Sequence, residues 1–229
     1  MIPLEYRCGM NKLGARLVLF DIDGTLVDSS EYDAMLFKQA IRDVLDIDIG
    51  DNWSSYRNVT DAGILDEVME NCGVVYDRNL IHDRVKQLFF DLHEEYLSER
   101  PRALREVPGA RKFLDELRSM DSVTVAIATG GWEETARMKL EGIGIETTAL
   151  ALATCSDASS RTEIIRIAEQ RALAGRVALT RVYFGDGIWD KYACEALDYD
   201  FIAIGNGVDH ATRFPDFMDQ QAIFTRLEL

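Results

Sequence analysis

Two aspartates, Asp21 and Asp23, stand two residues apart directly after an apolar run, and two more, Asp186 and Asp190, stand four apart after another. Alternate residues of an extended chain face the same side, so Asp21 and Asp23 share a face if strand geometry persists. Carboxylates held that close repel, and their pKa values move apart unless a proton or a cation lies between them. Four of them on one rim suit a hard divalent cation with oxygen ligands, Mg²⁺ first among them. Each pair also has a plainer reading. Asp-Gly turns use aspartate for local hydrogen bonds, and a helix over Ile188–Leu197 favours acidic residues in its first turn.

Thr129-Gly130-Gly131 closes a third apolar run and precedes a helix expected to start near Trp132. A hydroxyl, small residues that expose backbone N–H groups and a helix N-terminus together form an anion cradle. Threonine is also a common N-cap. Beside a metal site, the segment reads as a phosphate grip through Thr129 and Gly130.

The elements that would position these groups are short apolar runs bounded by turn residues, each followed by a helical pattern: Leu17 to Phe20, Val123 to Ala128, Val182 to Gly185 and Phe201 to Ile204, with a weaker candidate over Leu150 to Ala153. Runs that are apolar on both faces and alternate with helices are strands of a buried parallel sheet. The expected class is therefore α/β, doubly wound. In such a sheet ligands bind outside the carboxyl ends of the strands, which is where Asp21, Thr129 and Asp186 fall. About a hundred residues separate the first two strands, with three- and four-residue apolar spacing over Tyr32–Leu45, Asp61–Glu70 and Asn79–Leu97. That is more chain than one crossover needs, and it predicts a helical insert of roughly 70 residues. Pro108 is expected in the first turn of a helix over Ala110–Met120, and the last ten or so residues carry no clear pattern.

Composition removes several alternatives. The 229 residues carry 40 acidic against 25 basic side chains, a formal charge of −15, with no basic run, which disfavours nucleic acid and anionic membrane surfaces as partners. Four scattered cysteines form no Cys-x-x-Cys pair and fit a reducing compartment, and they read as structural. The three histidines form no His-x-x-x-His pair, so a zinc site of that kind is disfavoured; His82 and His93 are expected at surface or satisfied core positions. The N-terminal segment interrupts its apolar residues with Glu5, Arg7, Asn11 and Lys12, unlike a signal peptide, and no run reaches the ~20 apolar residues of a membrane span. A cytoplasmic protein is expected. Its oligomeric state is left open.

The set Asp21-x-Asp23-Gly24-Thr25, Thr129-Gly130 and Gly185-Asp186-Gly187-x-x-Asp190 resembles the haloacid dehalogenase superfamily in order and in strand context, over nearly the whole chain. The helical insert and Val107-Pro108-Gly109-Ala110 are similar to the branch of phosphoglycolate phosphatase and β-phosphoglucomutase. The resemblance implies a Rossmann-like core over residues 1–31 and 104–229, with a helical cap domain over 32–103. It implies a phosphatase acting on a small phosphorylated metabolite, in which Asp21 is the nucleophile that forms an aspartyl-phosphate and Asp23 the general acid and base. Mg²⁺ would be held by Asp21, the backbone carbonyl of Asp23 and Asp186, with Asp190 supporting the shell. Gly24, Thr129 and Gly130 would contact the phosphoryl group.

The family pattern expects a lysine, less often an arginine, before a helix between the threonine and the last acidic motif. Here Arg161 follows Ser160, with Glu163 placed to complete a capping box. It is assigned to the phosphoryl group; Lys191 is the nearest alternative, on the wrong motif. Thr60 and Asp61, in a polar loop before a helix, are similar to a substrate-facing cap segment, and either serves equally as that helix's N-cap. Trp132 and Trp189 read as packing residues. Asp23 argues against a 2-haloacid dehalogenase, which has no use for an acid at that position, and no cap-lysine signature favours a phosphonatase. A phosphomutase and a non-catalytic binder of phosphorylated ligands stay open, as does the identity of the substrate.

Overall fold

A computed structural model describes residues 15–74 and 77–229. Cys8 and the N-terminal segment discussed above lie outside the described residues. The sheet has six strands, β1 (Ala15–Phe20), β2 (Val123–Ala128), β3 (Ala151–Ala153), β4 (Ala178–Gly185), β5 (Asp200–Ile204) and β6 (Arg213–Phe214), in the order β3-β2-β1-β4-β5-β6. All five pairings are parallel. This is a doubly wound α/β fold, and the winding reverses beside β1, the kind of position where such sheets open a crevice.

Both faces of the sheet are covered, which is why its central strands read as unbroken apolar runs. Leu17 and Leu19 of β1 enter a core shared with helices α6 (Arg161–Leu173) and α7 (Ile188–Leu197). Val18 and Phe20 enter another shared with α4 (Ala110–Arg118), α5 (Glu133–Gly142) and α8 (Gln220–Leu227). On that second face Phe113 sits edge-on to Phe20 at 6.1 Å and to Phe184 at 5.8 Å, and stacks on Phe217 at 5.3 Å.

Between β1 and α4 lie α1 (Ser30–Leu45), a 3₁₀ turn over Trp53–Ser55, α2 (Asp61–Asn71) and α3 (Arg78–Glu99). The long helix α3 packs along α1 and touches α2 and α5. Phe37 of α1 and Phe89 of α3 each lie 5.8 Å from Trp132, so the insert is seated on the segment that leaves β2. Among the described residues no helix is long and apolar enough to cross a membrane.

Several expectations shift. β1 begins at Ala15 rather than Leu17, because Arg16 sends its guanidinium to the carbonyls of Leu227 and Glu228, both at 2.6 Å, and so sits in a strand without interrupting it. β4 begins at Ala178, and Leu179, Thr180 and Arg181 after it are accessible to solvent, so no buried apolar run marks them. The unpatterned C-terminus forms β6 and α8, the latter begun by Asp219, whose carboxylate accepts the Ala222 N–H at 3.1 Å. Pro108 lies one residue before the N-cap of α4, not in its first turn. The cap is Gly109, with φ +83, and a Cβ there would stand 2.7 Å from the Phe217 carbonyl.

Phe113→Ala removes the centre of the aromatic cluster and should cost about 3–5 kcal/mol. The midpoint of a urea transition reads this directly; a loss under about 1 kcal/mol would mean that the second core is not organised around that ring.

Candidate active site

Apart from Thr60 and Asp61 in the insert, the sequence-predicted groups leave the carboxyl end of a strand or start the helix beyond it. Asp21 follows β1, its N–H donating to the Phe184 carbonyl at 2.9 Å. Thr129 follows β2, with its N–H donating to the Ala153 carbonyl at 3.1 Å and its Oγ1 accepting from the Gly131 N–H at 3.3 Å. Asp186 follows β4, Asp190 lies in the first turn of α7, and Arg161 opens α6. Asp21, Asp23, Thr129, Gly130, Arg161 and Asp186 all line one cavity of about 160 Å³.

Gly24 makes the convergence possible. Its φ is +75, and a Cβ would stand 2.0 Å from Asp186 Oδ2, so only glycine lets the turn after β1 pass under that carboxylate. Oxygen atoms of Asp21, Asp186 and Asp190 lie within 4.8 Å of one another, a donor set for a metal ion. Burial, then repulsion from Asp190, Asp21 and Asp23, holds the Asp186 carboxyl well above its ordinary range. Asp190 is pushed up to about 7 by burial, against the pull of Arg161. Such a cluster ionises fully only beside a cation, and a hard one with oxygen preference fits the donors. Asp190 also makes the helix-start contact foreseen as its alternative role, since its Oδ2 accepts the Gly187 N–H at 3.1 Å.

Arg161 is the cation nearest this group. Its Nη1 lies 3.0 Å from Asp190 Oδ1 and 3.4 Å from Asp21 Oδ1, yet its N–H directions align with neither. Nη1 and Nε of Arg161 and Oδ1 of Asp21 are all buried without a hydrogen-bond partner. Buried donors and acceptors are normally satisfied, so this triplet marks a place for an absent group. Burial works against the guanidinium's charge, but Asp190 and Asp21 more than offset it. The expected capping box is not formed. Ser160 Oγ pairs with Thr162 Oγ1 at 2.8 Å, and Glu163 turns to Arg166 at 3.5 Å. Lys191 is not among the residues lining the cavity.

The loop before α2 closes the site. Arg161 Nη2 donates to the Val59 carbonyl at 3.1 Å, Thr60 Oγ1 donates to the Ser159 carbonyl at 2.8 Å, and the Asp61 N–H donates to the Gly130 carbonyl at 2.9 Å. Asp61 Oδ2 accepts the Trp132 N–H at 3.1 Å. Thr60 is also the N-cap of α2, accepting the Gly63 N–H at 3.0 Å. It does not line the cavity, whereas Asp61 does. A Cβ on Gly130 would meet Arg161 Nη2 at 2.5 Å, so that glycine is the space through which the guanidinium passes.

Sequence reasoning missed Lys139. It lies on α5, is 1% exposed, and its Nζ donates to Asp23 Oδ1 at 2.7 Å and to Asp33 Oδ1. Behind Asp33 stands the buried His93, which contacts its carboxylate at 3.0 Å and the Phe89 carbonyl at 2.9 Å, a satisfied core histidine as expected. Asp23 Oδ1 also accepts from the Ser29 hydroxyl. Burial, then Asp33, raises the Asp23 carboxyl despite Lys139. Burial acts the same way on Asp33, but Lys139 and His93 outweigh it and hold that group at about 2. The signal was periodicity: Lys139 stands with Ala136 and Leu140 on the buried stripe of α5, a charge where the helical pattern calls for an apolar residue.

The tryptophans divide. Trp132 is buried and packs, as expected, while Trp189 lines the cavity, its indole lying where a Cβ on Gly187 would be. Cys155 and Cys194 are buried free thiols, but Cys72 is exposed and supports no core.

A family model described as haloacid dehalogenase-like hydrolase matches residues 15–198, and the chain belongs to that family. Among solved structures it is similar to a hydrolase from Pseudomonas syringae, with a TM-score of 0.70 at 19% identity over 93% of this chain and 99% of that one. It is also similar to a β-phosphoglucomutase from Clostridium difficile, with 0.68 at 15% over 93% and 97%, and to CbbY from Rhodobacter sphaeroides in complex with phosphate, with 0.67 at 14% over 90% and 96%. No curated protein matches the chain in sequence.

Lys139→Met leaves two buried carboxylates facing each other and should cost about 3–5 kcal/mol at neutral pH, read by chemical denaturation. Adding Asp33→Asn should recover part of that loss, because the two sites share one interaction. Asp33 is held at about 2 against an ordinary 3.8. Its pairing therefore stabilises fully above the ordinary value and fades as pH falls toward 2. Additive losses would show that the three groups are not one network.

Proposed function

We propose that this haloacid dehalogenase-like hydrolase is a Mg²⁺-dependent phosphatase of small phosphorylated metabolites. The observation that carries the reading is the unsatisfied triplet of Asp21 Oδ1, Arg161 Nη1 and Arg161 Nε, buried at the end of the sheet. A phosphoryl group answers it, its oxygens accepting from Arg161 and Thr129 while its phosphorus faces Asp21.

In this reading the Asp21 carboxylate attacks phosphorus, the ester P–O bond breaks, and an aspartyl-phosphate forms. The departing alkoxide takes a proton from Asp23, whose raised carboxyl suits that role. Asp23, now ionised, removes a proton from water as that water attacks the aspartyl-phosphate. Inorganic phosphate leaves and the Asp21 carboxylate is restored. Mg²⁺ bound by Asp21, the Asp23 carbonyl and Asp186 would neutralise the meeting of carboxylate and phosphate. Asp190 orients the set through Arg161 and the Gly187 N–H. The insert, read as a cap domain, holds Arg161 by the Val59 carbonyl of the loop before α2 and limits water around the intermediate.

Phosphate release from a panel of phosphomonoesters should require both Mg²⁺ and Asp21. EDTA and Asp21→Asn should each abolish it in protein that remains folded by circular dichroism, and an unaffected rate would overturn the mechanism. Asp23→Ala should slow hydrolysis of alkyl phosphates by about 10²–10⁴-fold and that of p-nitrophenyl phosphate much less, because a good leaving group needs little protonation. Equal losses on both substrates would remove the general-acid role.

A further inference from the structure

The reading above accounts for the end of the cavity that would receive the phosphoryl group. The rest of its lining has its own chemistry. Its wall is built by Phe37, Trp53, Val59, Ile64 and Trp189. Phe37 and Trp53 lie 6.3 Å apart with their planes inclined at 54°, so two aromatic faces meet at an angle there. Trp53 is held in place by Tyr56, stacked on it at 6.4 Å.

The charged side chains on the lining are all acidic but one. Among the described residues lining the cavity, Arg161 is the one cationic side chain, and it stands at the phosphoryl end. Asp33 is satisfied by Lys139 and His93. Asp61 lines the cavity and pairs with no cation among the described residues; the partner of its carboxylate is the Trp132 N–H. Burial, then Asp33, raises its carboxyl well above the ordinary range, the direction that an arriving positive charge reverses. A carboxylate or a second phosphate on the leaving group would meet Asp61 with no cation beside it, in surroundings where like charges repel strongly. An ammonium group would find a carboxylate and aromatic faces, the setting in which such cations are bound. The cavity of about 160 Å³ is close in size to one that holds a benzene-sized molecule, room for a phosphoryl group and a small leaving group.

We infer that the substrate is a small phosphomonoester of an amino alcohol, with its ammonium group seated between Asp61 and the aromatic wall of Phe37, Trp53 and Trp189. The inference rests on the phosphatase reading for its reaction but not for its binding site. It also separates phosphatase from mutase, since a sugar bisphosphate has no second cation to hold its second phosphate.

The test compares kcat/KM for 2-aminoethyl phosphate and phosphocholine with that for ethyl phosphate and for phosphoglycolate, using the full chain with Mg²⁺. The amino alcohol esters should exceed both comparators by about tenfold or more, the scale of a desolvated cation contact. Asp61→Asn keeps an oxygen for the Trp132 N–H and removes only the charge. It should cut the ratio of 2-aminoethyl phosphate to ethyl phosphate by about the same factor. Preference for phosphoglycolate or a sugar bisphosphate, or a ratio unchanged in Asp61→Asn, overturns the inference and leaves the phosphatase standing. If no ester is hydrolysed, including p-nitrophenyl phosphate, the phosphatase reading fails, and titration with choline decides the site alone. Saturable quenching of tryptophan fluorescence that Asp61→Asn abolishes supports it; no saturable change overturns it.

Discussion

Repulsion among carboxylates is the constraint on which the rest of this structure depends. Asp21, Asp23, Asp33, Asp61 and Asp186 border one small cavity, with Asp190 buried behind them. Carboxylates brought this close out of water cannot all carry charge unaided. The fold answers with two buried cations placed on opposite sides. Arg161 serves Asp21 and Asp190, and Lys139 serves Asp23 and Asp33. The two solutions differ in kind. Lys139 uses its donors on its two carboxylates and is sealed behind them, while Arg161 keeps Nη1 and Nε buried without a hydrogen-bond partner. The first is a closed pairing, and the second leaves polar atoms unmatched beside the cavity.

The same two cations tie the helical insert to the sheet. Lys139 reaches from α5 to Asp33 on α1, and Arg161 reaches from α6 to the Val59 carbonyl before α2. Backbone contacts complete the seam, since the Asp61 N–H and the Gly130 carbonyl meet next to the threonine that ends β2. Displacing the insert would therefore disturb Arg161, Asp23 and the Thr129 loop together. Closure and the geometry of the site are one arrangement, and a few small residues permit it. Gly24 and Gly130 leave space for Asp186 and Arg161 respectively, where any Cβ would collide.

The lining of the cavity comes from two parts of the chain. Asp21, Asp23, Thr129, Arg161 and Asp186 meet beyond the strand ends, while Asp33, Phe37, Trp53 and Asp61 come from the insert that covers them. A ligand that reached both would be read by both, which gives more discrimination than affinity for phosphate alone.

Much of this was legible in the residues themselves. The apolar runs after which Asp21, Thr129 and Asp186 fall follow from burial on both sheet faces, a local property that composition records directly. The position of Arg161 was legible because a motif and a helix start coincide there. Other features were not. Leu179 to Arg181 in β4 and Arg16 in β1 lie where a strand is solvated or a charge is satisfied from afar, so no apolar run announces them. Lys139, Asp33 and Asp61 act on groups from 10 to 116 residues away, and a one-dimensional pattern shows only that Lys139 is out of place on its helix. Sequence determined which chemistry could exist at the rim, since residue type and strand context are local. The tertiary structure alone decided which carboxylate is neutralised, which is left facing the cavity and which cation keeps unmatched donors, because those outcomes depend on distances across the fold.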